Sequence, residues 1–267
     1  MKKTLKAFKR GLLASVAAVG VTLSVAAQAN LLSEIEERGV IRVAVPQDFP
    51  PFGSVGTDMQ PRGYDIDMAN YIGEQLGVSV ELITVTSANR IPYLQTGRAD
   101  LVISSLGKNE ERERAIDFSD AYAPFFLGVF GNPDIAVAAP EDLSGHVVGV
   151  TRGAVEDMEL EKVLPADATL QRFEDNNTTL SAYLSGQVQL IATGNLVAAE
   201  IAERRPNQAP VTKFMLRDSP CYIGLNKGEA ELQARVNEII AQALQDGTLN
   251  SISETWLRAP LPDGFGS

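Results

Sequence analysis

The chain has 267 residues, a formal net charge of −11 at pH 7 and a single cysteine, Cys221. The acidic excess argues against nucleic acid and anionic membranes as partners, because like charges repel. One cysteine excludes an internal disulfide, so stability must come from apolar cores, arranged as one large domain or two of ordinary size.

The first 29 residues have the three parts of a secretory signal peptide. Residues 1–10 carry five positive charges and no acid, and an apolar run follows from Gly11 to Val25. The small residues Ala27-Gln28-Ala29 then match a cleavage site. The apolar run is short for a spanning helix, which needs about 20 residues. We predict that the signal peptide 1–29 is removed and that the mature protein begins near Asn30, in the periplasm.

The mature chain alternates short apolar runs with amphipathic helical patterns, as is typical of βαβ units and mostly parallel sheets. In the first part, strands are predicted at 40–45, 78–84 and 100–104, and helices at 65–76 and 89–95. Gly77 is a stop signal for the first of these helices. Asp65 and Asp67 are interpreted as acids of its first turn.

The pattern restarts after Ala123. Strands are predicted at 125–130, 147–150, 170–173, 187–192 and 222–225, and helices at 155–163, 178–184, 196–204 and 232–244. Candidate crossings near 122–126 and 216–222 indicate two lobes, with the chain returning to the first. Periodicity alone is equally compatible with one doubly wound sheet.

Six sequence strings share their order and spacing with one protein family. They are FPPF at 49–52, GYDIDMA at 63–69, the run from Leu94 to Ala123, LSGHVVGVTRGAVE at 143–156, YLSGQVQLIATGN at 183–195 and GTLNSISETWL at 247–257. Together they resemble the periplasmic polar amino-acid-binding proteins of ABC transporters, solute-binding protein family 3. The resemblance covers nearly all of the mature chain.

This resemblance implies an α/β fold of the two-lobe type II periplasmic binding class, with mostly parallel sheets flanked by helices and two hinge crossings. Lobe 1 is expected to comprise 30–123 and 222–267, and lobe 2 to comprise 124–221. The implied function is capture of an amino acid or amino-acid-like carboxylate by hinge closure, followed by delivery to an inner-membrane ABC permease. The resemblance implies a monomer with no catalysis and no cofactor. The lone histidine, His146, does not make a metal site.

The resemblance assigns the ligand carboxylate to Arg112. A guanidinium group suits this role because its planar fork can hold a carboxylate through two parallel hydrogen bonds. Read without its flanking strings, the segment EERER around Arg112 would indicate a solvated charged helix instead.

Further site residues are proposed, some from the residue types and their positions and some from the same resemblance. In lobe 1 they are Ser104, Ser105 and Gly107, after a buried strand whose carboxyl end is a usual ligand position, and the aromatic pair Phe49 and Tyr64. In lobe 2 they are Arg152, Val155, Glu156 and Asn195. The turn that contains Arg152, Val155 and Glu156 starts a helix, and helix N-termini bind carboxylates. Core packing is the alternative for the aromatic pair, and a plain turn is the alternative for the serines and Gly107.

The sequence departs from the family at Gly194, where relatives usually carry an aspartate that pairs with the ligand's α-ammonium group. An ammonium removed from water needs a compensating acceptor. Thr193, Asn195 and Glu156 are the candidates to replace this aspartate. Alternatively, the ligand is an acylated, cyclic or otherwise modified amino acid without a free α-ammonium group.

Two other functions use the same scaffold. One is a cyclohexadienyl dehydratase-like lyase, for which Glu156 is the candidate general acid. The other is a soluble sensor module that acts through a membrane partner.

Overall fold

The computed structural model describes residues 30–266. The predicted signal peptide 1–29 lies outside the described residues, as does Ser267. No helix within 30–266 has both the length and the apolar character required to cross a bilayer.

Of the described strands, five form a first sheet in the order β5-β1-β6-β13-β7. These strands are β1 (Val40–Pro46), β5 (Ser79–Val85), β6 (Leu101–Leu106), β7 (Ile116–Ala123) and β13 (Cys221–Asn226). β1 pairs in parallel with both β5 and β6, whereas β13 is antiparallel to both β6 and β7. The sheet is therefore mostly parallel, with the late strand β13 inserted in the reverse direction.

A second sheet, also five-stranded in the part of the chain that the structure describes, has the order β10-β9-β11-β8-β12. Its strands are β8 (Phe126–Gly131), β9 (Val147–Thr151), β10 (Thr169–Phe173), β11 (Leu190–Gly194) and β12 (Val211–Asp218). Here β8 is the reversed strand, antiparallel to both β11 and β12. Two sheets exclude the single doubly wound alternative and confirm the predicted two-lobe fold.

Two short crossings connect the sheets. The first joins β7 to β8 through Pro124 and Phe125, and the second joins β12 to β13 through Ser219 and Pro220. The two crossings lie side by side, because the backbone N–H of Ser219 donates to the Phe125 carbonyl at 3.0 Å. Both fall within the segments that the sequence predicts as crossings.

Helices cover both sheets. They are α1 (Leu31–Arg38), α2 (Tyr64–Leu76), α3 (Arg90–Gln95), α4 (Glu110–Ala115), α5 (Val155–Val163), α6 (Asn176–Leu184), α7 (Asn195–Arg204), α8 (Ala230–Gln245) and α9 (Thr248–Leu257). The amphipathic pattern fixes which face packs inward: α8 buries Leu232, Val236, Ile239, Ile240 and Ala243 against the first sheet. α2 ends where predicted, at Gly77 in a left-handed conformation that suits glycine.

A small antiparallel sheet lies at the edge of the first lobe, formed by β2 (Asp48–Phe49), β3 (Gly53–Val55) and β4 (Pro61–Arg62). The periodicity did not predict these strands, because two or three residues are too few to show an alternating pattern. They matter for the site because β2 places Asp48 and Phe49 on the side of the first lobe that faces the second sheet.

Candidate functional site

A small cavity lies between the two sheets, with a volume of about 20 Å³. Its walls come from both sides: Pro46, Asp48, Phe49, Val85, Ser87, Arg90, Ser104 and Ser105 from the first lobe, Phe125 from the first crossing, and Ala154, Glu156 and Asn176 from the second lobe. Such a volume holds about one water molecule. The lobes are therefore closed on each other in this conformation.

Four of the residues predicted for the site line this cavity: Phe49, Ser104, Ser105 and Glu156. Ser104 and Ser105 lie near the carboxyl end of β6, which continues to Leu106, two residues beyond the predicted end of this strand. Ser105 has a left-handed backbone conformation with φ of 40°, which is unusual for a residue other than glycine. The Asp65 carboxylate holds this turn by accepting a hydrogen bond from the Ser105 N–H at 2.7 Å.

Gly107, Arg112 and Val155 lie together beside the cavity. Arg112 is buried, with 3% of its surface exposed. Its Nη1 donates to the Gly107 carbonyl at 2.7 Å, and its Nη2 donates to the Gly153 carbonyl, across the interface, at 2.9 Å. A Cβ atom on Gly107 would lie 3.0 Å from the Val155 side chain. One guanidinium group thus bridges the two lobes where a glycine allows them to approach closely.

Tyr64, Arg152 and Asn195 lie outside the cavity lining. Tyr64 is fully buried in the core, where its hydroxyl donates to the Tyr122 carbonyl at 2.8 Å. Arg152 is half exposed and forms an ion pair at the surface, with its Nε 3.1 Å from Oε1 of Glu174. The Asn195 side-chain oxygen accepts from the Phe126 N–H at 3.1 Å, and Asn195 lines a separate surface groove.

The structure adds three polar residues that the sequence interpretation missed: Asp48, Arg90 and Asn176. Arg90, at the start of α3, has 6% of its surface exposed and donates from Nη1 to the Ser104 carbonyl and from Nε to the Ser87 carbonyl. In sequence it is a charged residue on the first turn of a short helix, a position that normally faces water. Both of its acceptors lie in the first lobe, so its burial depends on tertiary packing that the sequence does not show.

Asp48 and Asn176 connect the lobes. The Asp48 carboxylate accepts from the Asn176 backbone N–H at 2.8 Å and from the Asn176 side-chain Nδ2 at 3.2 Å. The Asn176 side chain is oriented in turn by the Thr151 hydroxyl, which donates to its Oδ1 at 2.9 Å. This contact places a carboxylate of the first lobe at the N-terminus of α6, where the helix dipole favours negative charge.

Burial shifts the pKa values of the charged groups in the interface. Removal from water raises the pKa of Glu156 to about 7, although Arg90 and Arg112 nearby oppose the shift. Removal from water also lowers the pKa of Arg112 to about 9, helped by repulsion from Arg90 and opposed by Glu156. Arg112 therefore stays charged at neutral pH, and the interface holds ionisable groups of both signs.

Asp65 lies deeper, under the floor of the cavity. Desolvation raises its pKa to about 7, despite hydrogen bonds from the Tyr122 hydroxyl and the Ser105 N–H. The sequence interpretation of Asp65 as a helix-start acid is correct for its position in α2, but incomplete. Its carboxylate faces the core and supports the Ser105 turn.

The described residues contain no group of three or more His, Cys, Asp or Glu side chains that could hold a metal ion. Cys221 is buried in β13 as a free thiol. What the interface offers is hydrogen bonding and charge: two guanidinium groups, two carboxylates, serine hydroxyls and the N-terminus of α5. This set suits the recognition of a small polar molecule by two lobes that close on it.

A two-lobe α/β clamp with a polar cavity between its sheets defines the class of solute-binding proteins. The model of the family "Bacterial extracellular solute-binding proteins, family 3" matches residues 41–259. The chain therefore belongs to this family, which confirms the resemblance seen in its sequence strings.

Individual relatives agree with this assignment. The chain is 27% identical over 253 residues to the L-cystine-binding protein TcyJ of Escherichia coli K12, covering 93% of this chain and 94% of the relative. Among solved structures, it is 29% identical to the solute receptor for L-cysteine of Neisseria gonorrhoeae, with a TM-score of 0.79 and coverage of 86% and 94%. It is 32% identical to an ancestral amino acid-binding protein, AncCDT-1, described as a precursor of cyclohexadienyl dehydratase, with a TM-score of 0.77 and coverage of 85% and 99%.

Proposed function

We propose that this protein is the periplasmic solute-binding component of an ABC importer. It captures an amino acid or amino-acid-like carboxylate between its lobes and delivers it to an inner-membrane permease. The observation that carries the proposal is Arg112, a buried and charged side chain that hydrogen-bonds both lobes at once beside a polar cavity. The names of the relatives as amino-acid-binding proteins support the same function.

The ligand carboxylate binds between Arg112 and the N-terminus of α5. In the closed conformation Arg112 donates to two neutral carbonyl groups, and an ionised carboxylate is a stronger acceptor than either. Ala154, the residue immediately before α5, provides no side-chain hydrogen bond to cap the start of this helix. The N–H group at Val155 is therefore positioned to complete the carboxylate site.

The remaining ligand contacts come from the cavity walls. Phe49, with Phe125 packed against it edge-on, forms the apolar side. Ser104 and Ser105 provide polar groups at the end of β6. Tyr64 and Asn195 support the site from behind, and Arg152 lies at its rim.

Hinge motion is required for entry, because an amino acid does not fit into about 20 Å³. The crossings 124–125 and 219–220 are the hinge strands. They separate lobe 1, residues 30–123 and 222–267, from lobe 2, residues 124–221, with β13 starting one residue before this boundary, at Cys221. Opening breaks the contacts that cross the interface and exposes the charged groups of the cavity to water.

The contact between Asp48 and Asn176 stabilises the closed form, because it joins residues of different lobes. We expect Asp48→Ala to weaken ligand binding about tenfold by lowering the closed population, since a hydrogen bond to a charged group contributes about 1.5–3 kcal/mol. Titration calorimetry gives the affinity, and small-angle scattering reports the ligand-free dimensions. Asp58→Ala, on the exposed loop between β3 and β4, is the matched control; equal loss in both variants would contradict the role of Asp48.

The first test of the proposed function is a thermal-shift screen of protein that has been unfolded and refolded to remove carried-over solutes. The panel holds the common L-amino acids, L-cystine, and acylated and cyclic amino acids. A ligand at 100 times its dissociation constant stabilises by about 2.7 kcal/mol, which raises the melting temperature by roughly 5–10 °C. A folded protein that shows no shift with any compound would overturn the substrate class.

A lyase on this scaffold is the second candidate, favoured by the position of Glu156 in the cavity wall. Burial there raises its pKa to about 7, which suits a general acid at neutral pH. Incubation with prephenate and arogenate decides between the two. Turnover that disappears in Glu156→Gln would identify an enzyme, whereas binding without turnover would support transport.

A further inference from the structure

The space beside Gly194 is occupied by an aromatic ring. A Cβ atom on Gly194 would lie 1.7 Å from the Phe125 ring. Phe125 is held there by edge-on packing against Phe52, with ring centroids 5.2 Å apart. A side chain at 194 could therefore not reach the cavity without displacing Phe125. Whatever compensates a positive charge on the ligand must come from another position.

Neither polar neighbour of Gly194 reaches the cavity. Thr193 is buried within β11 and is absent from the described cavity walls. Asn195 uses its side-chain oxygen to accept from the Phe126 N–H, and it faces a separate surface groove. Of the three candidates that the sequence left open, this leaves Glu156.

Two carboxylates of the described chain line the cavity, Asp48 and Glu156. Both oxygens of Asp48 already accept hydrogen bonds from Asn176. Within residues 30–266, Glu156 receives a hydrogen bond only from its own backbone N–H, and it interacts through space with Arg90 and Arg112. It is 4% exposed, so its carboxylate is buried, acidic and available.

We infer that Glu156 is the residue that pairs with the α-ammonium group of the ligand, which makes the ligand a zwitterionic α-amino acid. Charge balance supports this inference. Arg90 and Arg112 contribute two positive charges to the closed interface. Asp48 contributes one negative charge, and Glu156 contributes a second when an adjacent cation favours its ionised form over the protonated form that burial favours. A ligand of net charge zero preserves this balance, whereas an N-acylated or des-amino acid adds an uncompensated negative charge. The inference rests on the proposed amino-acid-binding function.

The test compares amino acids with analogues that differ only in the α-ammonium group. The probe pairs are L-cystine with 3,3′-dithiodipropionate, L-cysteine with 3-mercaptopropionate, and L-glutamine with glutaramate. Affinities are measured by titration calorimetry for the refolded wild-type protein, for Glu156→Gln and for Glu161→Gln. Glu161 is the matched control because it lies on the same helix but is 70% exposed.

We expect the wild-type protein and Glu161→Gln to prefer the amino acid of at least one pair by about 100-fold, the effect of a hydrogen bond to a charged group in a buried site. In Glu156→Gln the two members of that pair should bind within about tenfold of each other. If Glu156→Gln does not fold, Glu156→Asp gives the same test. Glu156→Asp keeps the charge but moves it back by one methylene group. This variant should weaken binding of the amino acid about tenfold without affecting binding of the analogue.

The outcomes separate this inference from the proposed function. Full discrimination retained in Glu156→Gln, or equal binding of both members by the wild-type protein, would overturn the role of Glu156 and leave amino-acid-like carboxylate binding standing. Failure of every compound to bind the wild-type protein would overturn the proposed function and this inference with it.

Discussion

Replacing Arg112 with methionine should weaken ligand binding by at least about 30-fold, since truncating one partner of a buried charge pair costs about 2–5 kcal/mol. Arg112 is the buried cation that contacts both lobes through Gly107 and Gly153. Methionine keeps much of the side-chain volume but supplies neither the charge nor the donors. Without them the ligand carboxylate would be buried with too few hydrogen bonds. Titration calorimetry with the best ligand of the thermal-shift panel measures the loss.

The neighbouring arginine on the same helix provides the control. Arg114 is 78% exposed and pairs with Glu110 at 3.6 Å on the helix surface. Surface ion pairs of this kind contribute about 0–1 kcal/mol, so Arg114→Met should bind ligand like the wild-type protein. Equal affinities of the two variants would contradict the assignment of the carboxylate to Arg112.

Replacing Asp65 with alanine should destabilise the protein by about 4 kcal/mol, because two buried donors would lose their acceptor and each costs about 1–3 kcal/mol. These donors are the Tyr122 hydroxyl and the Ser105 N–H. The loss should also reach the site, since the Ser105 N–H contact holds a residue with positive φ at the cavity wall. Denaturant unfolding measures the free energy of unfolding, and calorimetry measures the accompanying loss of ligand affinity.

Asp65→Asn separates the two roles of the Asp65 carboxylate. The amide oxygen can still accept from Ser105, and the amide NH₂ can donate to the Tyr122 oxygen. This variant should therefore retain more stability and affinity than Asp65→Ala. Asp58→Ala, at an exposed aspartate, should change stability by no more than about 0.5 kcal/mol. An Asp65→Ala variant as stable as the wild-type protein would contradict a supporting role for this carboxylate.

Elements with a regular period could be predicted from the sequence. The helix predicted at 155–163 has the same bounds in the structure, and the helix predicted at 65–76 begins one residue earlier. These segments repeat an apolar position every three or four residues, so the pattern alone determines the buried face. Strand β12 was not predicted, because none of its residues is fully buried and they show no clean alternation.

For the site, the sequence could indicate the polar turn after β6 and the start of α5, because both follow buried strands. It could not indicate Asp48, Arg90 and Asn176, which come from three separate segments that only the tertiary fold brings to one cavity. Tyr64 shows the converse. An aromatic residue next to the helix-start motif was predicted as a ligand contact, but its hydroxyl binds the Tyr122 carbonyl and its ring completes the core.

The position of β13 has a consequence for how the protein is made. This strand is hydrogen-bonded between β6 and β7, about a hundred residues earlier in the chain. The second sheet, by contrast, is built entirely from the continuous segment 126–218. The chain is synthesised from its N-terminus, so the second sheet can be complete while the first still has a gap between β6 and β7. A nascent or truncated chain that ends before Cys221 would leave those strand edges unpaired, and unpaired edges are sites of aggregation.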